Sequence, residues 1–346
     1  MFEQINVKTL FIELTDKCNL NCTHCFNRPY AINNTMSLEN FNVILEKASD
    51  NYIKKDDYQQ KVILTGGEIF MHPRIKDIIE VCKNHTEKQF VLTTNGLLLT
   101  DELIQLIEES PNLTIQISVD GVSKEVYEKQ RGKNTFDKFM RGFNLIKNSR
   151  IKLKTTRTCI TLLNYLEVEK ICEFAVQNNF IPSFIFLLEL GNGKINQEHL
   201  SLSVAQKVVS MNRIYKFNKE KNQKIRLPEI TTSCTFAEEM EIEGLFIKPN
   251  GDIAPCQMFY DDVVGNIINE SIDQILCYER FEKYYRMAKE RKNALSSSHK
   301  CRDCLVYNRC GMGCMGMANS NGNILSYDGQ CDIRVKAFFG HINDLI

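Results

Sequence analysis

Thr15-Asp-Lys-Cys18-Asn-Leu-Asn-Cys22-Thr-His-Cys25-Phe26 sets three cysteines in the spacing C-x3-C-x2-C. Loops this short strain a disulfide, and pairing any two would leave the third over. Three thiolates from one loop make instead a metal site with a vacant position. Thiolates suit zinc or an iron–sulfur cluster. A structural zinc site wants a fourth ligand, and His24 lies directly between two cysteines, a poor angle for joining them. A cubane held by three cysteines leaves one iron open.

Outward from this loop the chain reads as repeated strand–helix units. Residues 7–14 alternate with β-branched and aromatic side chains and predict a strand that runs straight into the cysteines. Further strands are expected at 61–65, 89–94, 113–119, 152–160 and 183–190. Helices are expected at about 37–48, 74–83, 100–109, 135–148, 165–178 and 201–217. Such alternation implies a parallel sheet, doubly wound or curled into a barrel. The unusual residues collect at strand ends: the cysteines after the first, Gly66-Gly67-Glu68 after the second, Asn95-Gly after the third and Asp120-Gly after the fourth. Barrels place their chemistry at that rim, so a curled sheet is favoured.

The chain has 346 residues, 43% of them hydrophobic, enough for a sizeable core. Lys+Arg and Asp+Glu are both 43, which argues against a general nucleic-acid or membrane-surface binder. No secretory signal and no run of membrane-spanning length is found. Fourteen cysteines in an unexported, cytoplasmic chain point to metal ligands rather than disulfides.

The texture changes at about 221, so residues 1–221 and 222–346 are read as two domains. Residues 245–256 predict a hairpin turning at Asn250-Gly251, flanked by Cys234 and Cys256. Helices are expected at about 271–277 and 279–291, followed by a tail with little regular structure. That tail holds Cys301-x2-Cys304-x5-Cys310-x3-Cys314 and then Cys331. The seven cysteines fit either a zinc-ribbon-like staple or iron–sulfur ligation. Cys82, Cys159, Cys172 and Cys277 read as small core residues.

Single motifs carry less. A Gly-Gly after a strand is usually a turn, although Glu68 beside it suits an ammonium-bearing ligand. Asn95, Ser118, Asp120 and Thr161 could meet a ribose or a substrate, or could cap strand-end turns. Glu189, at the end of the sixth expected strand, points either to the rim or into the wall.

Taken together, Cys18-x3-Cys22-x2-Cys25, Gly66-Gly67-Glu68 and Ser118-Val-Asp120-Gly resemble the radical S-adenosylmethionine enzymes, and the seven-cysteine tail resembles their SPASM extension. The resemblance implies an α/β fold, a partial (β/α)6 TIM-like barrel with a C-terminal cysteine-rich iron–sulfur domain. It implies three 4Fe–4S clusters. Cys18, Cys22 and Cys25 would hold the one whose open iron chelates S-adenosylmethionine, and reduction would release a 5′-deoxyadenosyl radical. Glu68 with Gly66 and Gly67 would bind the methionine amine, Ser118 would face the ribose, and Arg131 would contact the carboxylate. The backbone of His24 would meet the adenine. Cys301, Cys304, Cys310 and Cys331 would hold a distal auxiliary cluster, and Cys234, Cys256 and Cys314 a nearer one. The best-known members carry another cysteine shortly before the position of Cys234. Residues 224–233 contain none, so the nearer cluster would have an iron without a cysteine, open to water, a non-cysteine residue or a substrate thiolate.

Two reactions compete within this family. One is maturation of a ribosomally made peptide by a thioether or carbon–carbon crosslink. The other is formylglycine formation by an anaerobic sulfatase-maturing enzyme. The base proposed for the second is an Asp directly after the second hairpin cysteine, where this chain has Gln257. A neutral amide cannot take a proton, so peptide maturation is the expectation. Glu189, Asp261 and Asp262 are the candidate bases. A non-enzymatic iron–sulfur or zinc-stapled module is the alternative from another class. Expected partners are a peptide or protein substrate and a low-potential donor such as ferredoxin or flavodoxin. The first strand begins within about ten residues, so a leader-gripping domain is not expected before it. Recognition would then fall to a separate leader-peptide-binding protein, a groove on the barrel rim or a small substrate.

Overall fold

The strand and helix signals close into one sheet wrapped by helices. The computed structural model describes residues 5–27, 34–48, 60–228, 230, 231, 233–237, 241–307 and 310–338. The strands are β1 (Asn6–Thr15), β2 (Gln60–Gly66), β3 (Lys88–Thr94), β4 (Leu113–Ser118), β5 (Lys154–Ile160), β6 (Ile181–Phe186), β7 (Glu241–Ile247), β8 (Asp252–Ala254) and β9 (Gly265–Asn266). The first nine helices are α1 (Leu38–Lys47), α2 (Ile75–Asn84), α3 (Asp101–Glu108), α4 (Lys124–Arg131), α5 (Phe136–Asn148), α6 (Val168–Gln177), α7 (Gly191–Ile195), α8 (Gln197–Leu200) and α9 (Val204–Lys221). Then come α10 (Ile272–Ile275), α11 (Tyr278–Ser296), α12 (His299–Arg302), α13 (Met315–Ser320) and α14 (Cys331–Phe338).

The sheet order is β6-β5-β4-β3-β2-β1-β7-β8-β9. The first six strands are parallel neighbours in chain order, the partial TIM-like barrel expected. Alternate strand positions turn into the core; Leu10, Ile12 and Leu14 of β1 and Val62 and Leu64 of β2 are buried. The helices turn apolar stripes inward: Phe41, Ile44 and Leu45 on α1, Ile75, Ile78, Ile79 and Cys82 on α2, Phe139, Phe143 and Ile146 on α5. Their starts follow local chemistry. The Ser37, Thr100 and Ser123 hydroxyls accept the first free N–H groups of α1, α3 and α4.

Four features depart from the expectation. α4 escaped because Lys-Glu-Val-Tyr-Glu-Lys-Gln-Arg has no apolar stripe; its buried face is Tyr127, Gln130 and Arg131. β6 ends at Phe186 rather than 190, so Glu189 lies in the loop beyond it, and Gly191-Asn-Gly193 opens α7 rather than closing a strand. The hairpin's first strand, β7, pairs parallel with β1, Val7 facing Ile242 and Ile12 facing Ile247. The sheet is therefore continuous across the expected break at 221. The cysteine tail, expected to have little regular structure, carries the short helices α12, α13 and α14.

Candidate iron–sulfur and substrate site

The loop after β1 is held from three sides. Beneath it lies the Gly66-Gly67 turn: the Gly67 N–H donates to the Thr15 carbonyl at 2.7 Å and the Glu68 N–H to the Lys17 carbonyl at 2.8 Å. A Cβ on Gly67 would lie 2.2 Å from the Lys17 oxygen, so the glycine is dictated by this close approach. The second side is α7. The Asn192 N–H donates to the Cys25 carbonyl at 2.8 Å and its side-chain amide to the Cys22 carbonyl at 3.0 Å. Asn196 adds a bond to the Thr23 carbonyl at 3.0 Å. The third side is α4, whose Gln130 carbonyl accepts from the Thr23 N–H at 2.9 Å.

Two of the expected ligand-binding carboxylates are also held by the protein itself. The Glu68 carboxylate is buried and accepts from the Thr94 hydroxyl at 2.7 Å, the Asn95 N–H at 2.7 Å and the Phe70 N–H at 3.2 Å. Asp120 is fully buried. It accepts from Arg131 Nε at 2.6 Å, lies 3.2 Å from His24 Nε2 and accepts from the Cys159 N–H at 2.8 Å. Burial alone would raise the Asp120 carboxyl, but Arg131 and His24 overcome it and hold it well below the usual carboxylate range. Thr161 is also fully buried, its hydroxyl donating to Gln130 Oε1 at 2.9 Å. These groups lock the ends of β4 and β5 to α4 and the cysteine loop. Asn95 reaches the loop directly, its amide donating to Asn19 Oδ1 at 2.8 Å. Ser118 closes β4, half-buried.

The thiols suit a cluster. The Leu20 N–H points at Cys18 Sγ at 3.5 Å, a donor that a thiolate accepts. Burial pushes the Cys22 thiol up to about 12 against the pull of Arg131, and Cys25 and Cys18 add to the rise. Ionising such a set needs a metal's charge beside it. Cys256 follows the hairpin, with Cys234 and Cys314 in its neighbourhood. Burial raises the Cys256 thiol to about 12, with Cys314 and Cys234 near enough to add to it. Cys301, Cys304, Cys310 and Cys331 line one cavity of about 230 Å³, far larger than a single ion. Among the described residues, no three Cys, His, Asp or Glu side chains converge as a single metal ion requires.

Between the two auxiliary thiol sets runs a buried ionic link. Asp328 accepts the Cys314 N–H at 2.9 Å and forms a two-pronged pair with Arg334, one prong at 2.7 Å. A Cβ on Gly313 would lie 2.2 Å from both partners.

A second cavity, about 620 Å³, opens between the rim and the hairpin. Phe26 and Asn27 reach it from just past Cys25, Gln257 and Met258 from just past Cys256, and Glu189 and Asp261 from its wall. Glu189 also accepts from the Ser201 hydroxyl at 2.7 Å. Asp262 does not line it; the Tyr284 hydroxyl at 2.6 Å and Lys283 at 3.0 Å hold it against α11. Sequence reasoning missed Glu13, Lys248 and Tyr260, which line this cavity, and Asn192 and Asn196, which clamp the loop. The signal for Glu13 was available: it is the one acid of β1, set between Ile12 and Leu14.

A partial barrel with one three-thiol loop at its rim and further thiol sets beside it defines a class, the iron–sulfur barrel proteins. The chain carries a radical SAM superfamily domain, matched over residues 12–175, and a SPASM iron–sulfur cluster-binding domain, matched over residues 234–305. It is 26% identical over 299 residues to the antilisterial bacteriocin subtilosin biosynthesis protein AlbA of Bacillus subtilis, covering 84% of this chain and 64% of that protein. It is 30% identical over 190 residues to GTP 3′,8-cyclase of Clostridium perfringens, 54% of this chain and 57% of that one. The chain thus spans somewhat less than two thirds of these relatives. Among solved structures, anSMEcpe with bound AdoMet superposes with a TM-score of 0.75 at 19% identity, covering 98% and 97% of the two chains. Streptococcus suis SuiB bound to its precursor peptide SuiA superposes at 0.74 with 15% identity, covering 94% and 76%. No described helix is long and apolar enough to cross a membrane.

Proposed function

We propose that this chain is a peptide maturase with three 4Fe–4S clusters: one on Cys18, Cys22 and Cys25, a nearer auxiliary one on Cys234, Cys256 and Cys314, and a distal one on Cys301, Cys304, Cys310 and Cys331. Residues 1–221 form the catalytic barrel and residues 222–346 the auxiliary-cluster domain. The observation that carries this reading is the cavity of about 620 Å³, walled on one side by residues next to Cys25 and on the other by residues next to Cys256. A substrate seated there lies between the first cluster and the nearer auxiliary one. When bound, S-adenosylmethionine and the reduced first cluster would supply radical hydrogen abstraction. The chain's own residues position that pair. An ammonium needs acceptors, and Glu68 Oε2, which takes only the Asn95 N–H, keeps a lone pair for one. Glu68 with the Gly66-Gly67 turn takes the methionine amine, with Ser118 toward the ribose and Arg131 toward the carboxylate. Asn95, Asp120 and Thr161 hold these elements in register.

The nearer auxiliary cluster has three cysteine ligands here and keeps a position for a substrate group. Peptide substrates fit this reading, as AlbA serves subtilosin biosynthesis and SuiB was solved with a precursor peptide. A ferredoxin or flavodoxin supplies electrons, a separate protein presents the leader, and the reducing cytoplasm keeps the thiolates free.

The test is anaerobic. The purified protein is assayed for iron, reduced with dithionite and given S-adenosylmethionine and the peptide encoded beside its gene. The expected result is 5′-deoxyadenosine together with a peptide lighter by a pair of hydrogens. A colourless zinc protein, or no nucleoside from loaded clusters, would overturn the class. Formylglycine in a sulfatase-motif peptide would overturn the choice of substrate.

A further inference from the structure

We propose that Glu13 is the proton acceptor of the substrate cavity, reached through the Tyr260 hydroxyl that donates to it. The inference rests on the maturase reading above. Glu13 lines the cavity from β1 and is 5% exposed. One carboxylate oxygen accepts from the Asn27 amide at 3.1 Å, and the other from the Tyr260 hydroxyl. Asn27 lies two residues beyond Cys25 and Tyr260 four beyond Cys256. The carboxylate thus joins both thiol-bearing segments at the cavity wall.

A pin between those segments would not need an acid. Burying a carboxylate near the end of β1 costs several kcal/mol unless a charge or strong donors compensate, and both direct partners here, Asn27 and Tyr260, are neutral. The charged groups around it oppose one another. Asp16 at the end of β1 disfavours the anion, while Lys248, 4.6 Å above the Tyr260 ring, favours it. Asp252, Asp261, Glu189 and Lys194 complete the charged wall. Burial outweighs the hydrogen bonds from Tyr260 and Asn27 and lifts the Glu13 carboxyl to about 7. Both protonation states are then populated at neutral pH, as a general base requires. Gln257 lines the same cavity and cannot accept a proton.

In thioether closure the substrate carbon has already lost its hydrogen atom. The sulfur–carbon bond forms as the S–H bond breaks, and the one surplus electron leaves to an oxidised iron–sulfur cluster. The proton passes to the Tyr260 oxygen while the proton of Tyr260 moves to Glu13. Water later takes it from Glu13.

Two measurements test this. Infrared difference spectra of the cluster-loaded protein, without peptide, should show a protonated-carboxyl band that disappears with a midpoint near 7 and is absent from Glu13→Gln. Absence of any such titration in the wild type overturns the proposal. With the peptide that the wild type modifies, Glu13→Gln should keep its iron and its S-adenosylmethionine cleavage. Its product should fall about a hundredfold or more, and Tyr260→Phe should fall with it. The wild-type product rate should rise with pH through about 7, and Glu13→Asp should recover part of it. Undiminished product from Glu13→Gln, with the wild-type pH profile, overturns the proposal and leaves a structural pin. Failure of the wild type to modify any peptide is a different result, and it counts against the maturase reading instead.

Discussion

A buried carboxyl with a raised pKa is a stability statement as well as a chemical one. Glu13 binds its proton more tightly in the fold, about 7 against an ordinary 4.5. Its contribution is complete below about pH 4.5 and is lost as pH rises through about 7, at most about 3 kcal/mol in all. Urea denaturation should therefore show the wild type losing stability between those limits relative to Glu13→Gln; parallel pH profiles would contradict the burial argument. At this scale the sequence was legible wherever chemistry lies in spacing, as for the three loop cysteines. It was silent where a residue's meaning comes from partners far along the chain. Asp120 looked like a ligand for a ribose, yet its carboxylate belongs to His24, Arg131 and Cys159. Tyr260 gives nothing away until β1 lies beside it.

The strand–helix alternation was readable because each unit carries its own periodicity and caps. α4 was not, since its inward face is a tyrosine, a glutamine and an arginine satisfied by hydrogen bonds rather than by apolar area. The pairing of β7 with β1 was not readable either; nothing local in Glu241–Ile247 names its neighbour. Helix α5 yields a prediction in which two effects oppose each other. Replacing a helical glycine by alanine ordinarily gains up to about 1 kcal/mol. At Gly142 the new Cβ would lie 1.9 Å from the Gly96 carbonyl oxygen, in the turn that follows β3. Steric conflict with backbone should win, so Gly142→Ala is expected to destabilise by about 1–3 kcal/mol in chemical denaturation. A stabilised variant would mean that α5 can shift away from the rim.

At the scale of the molecule, the barrel and the cysteine-rich segment differ in what holds them. The barrel has a continuous apolar core. From His299 onward the buried apolar side chains among the described residues are few: Val306, Met312, Met315, Ala318 and Ile333. Such a segment depends on its metal staples. Chelating the iron should open residues 299–336 to limited proteolysis while the first six strands stay protected, with mass spectrometry locating the cuts. Uniform cleavage, or none, would show that the segment stands without metal.

The seam between β1 and β7 also bears on how the protein is made. Lys8 on β1 reaches Glu243 on β7 across 235 positions of sequence. During translation β1 leaves the ribosome long before β7, so one of its edges stays bare until β7 follows. A sheet edge left open that long invites mispairing. The loop with Cys18, Cys22 and Cys25 hangs from that half-finished strand. Iron delivered before β7 pairs would meet a loop whose strand is held along one edge alone. Cluster insertion is therefore best timed after synthesis, and chaperones that shield the young first strand would raise the yield of active protein.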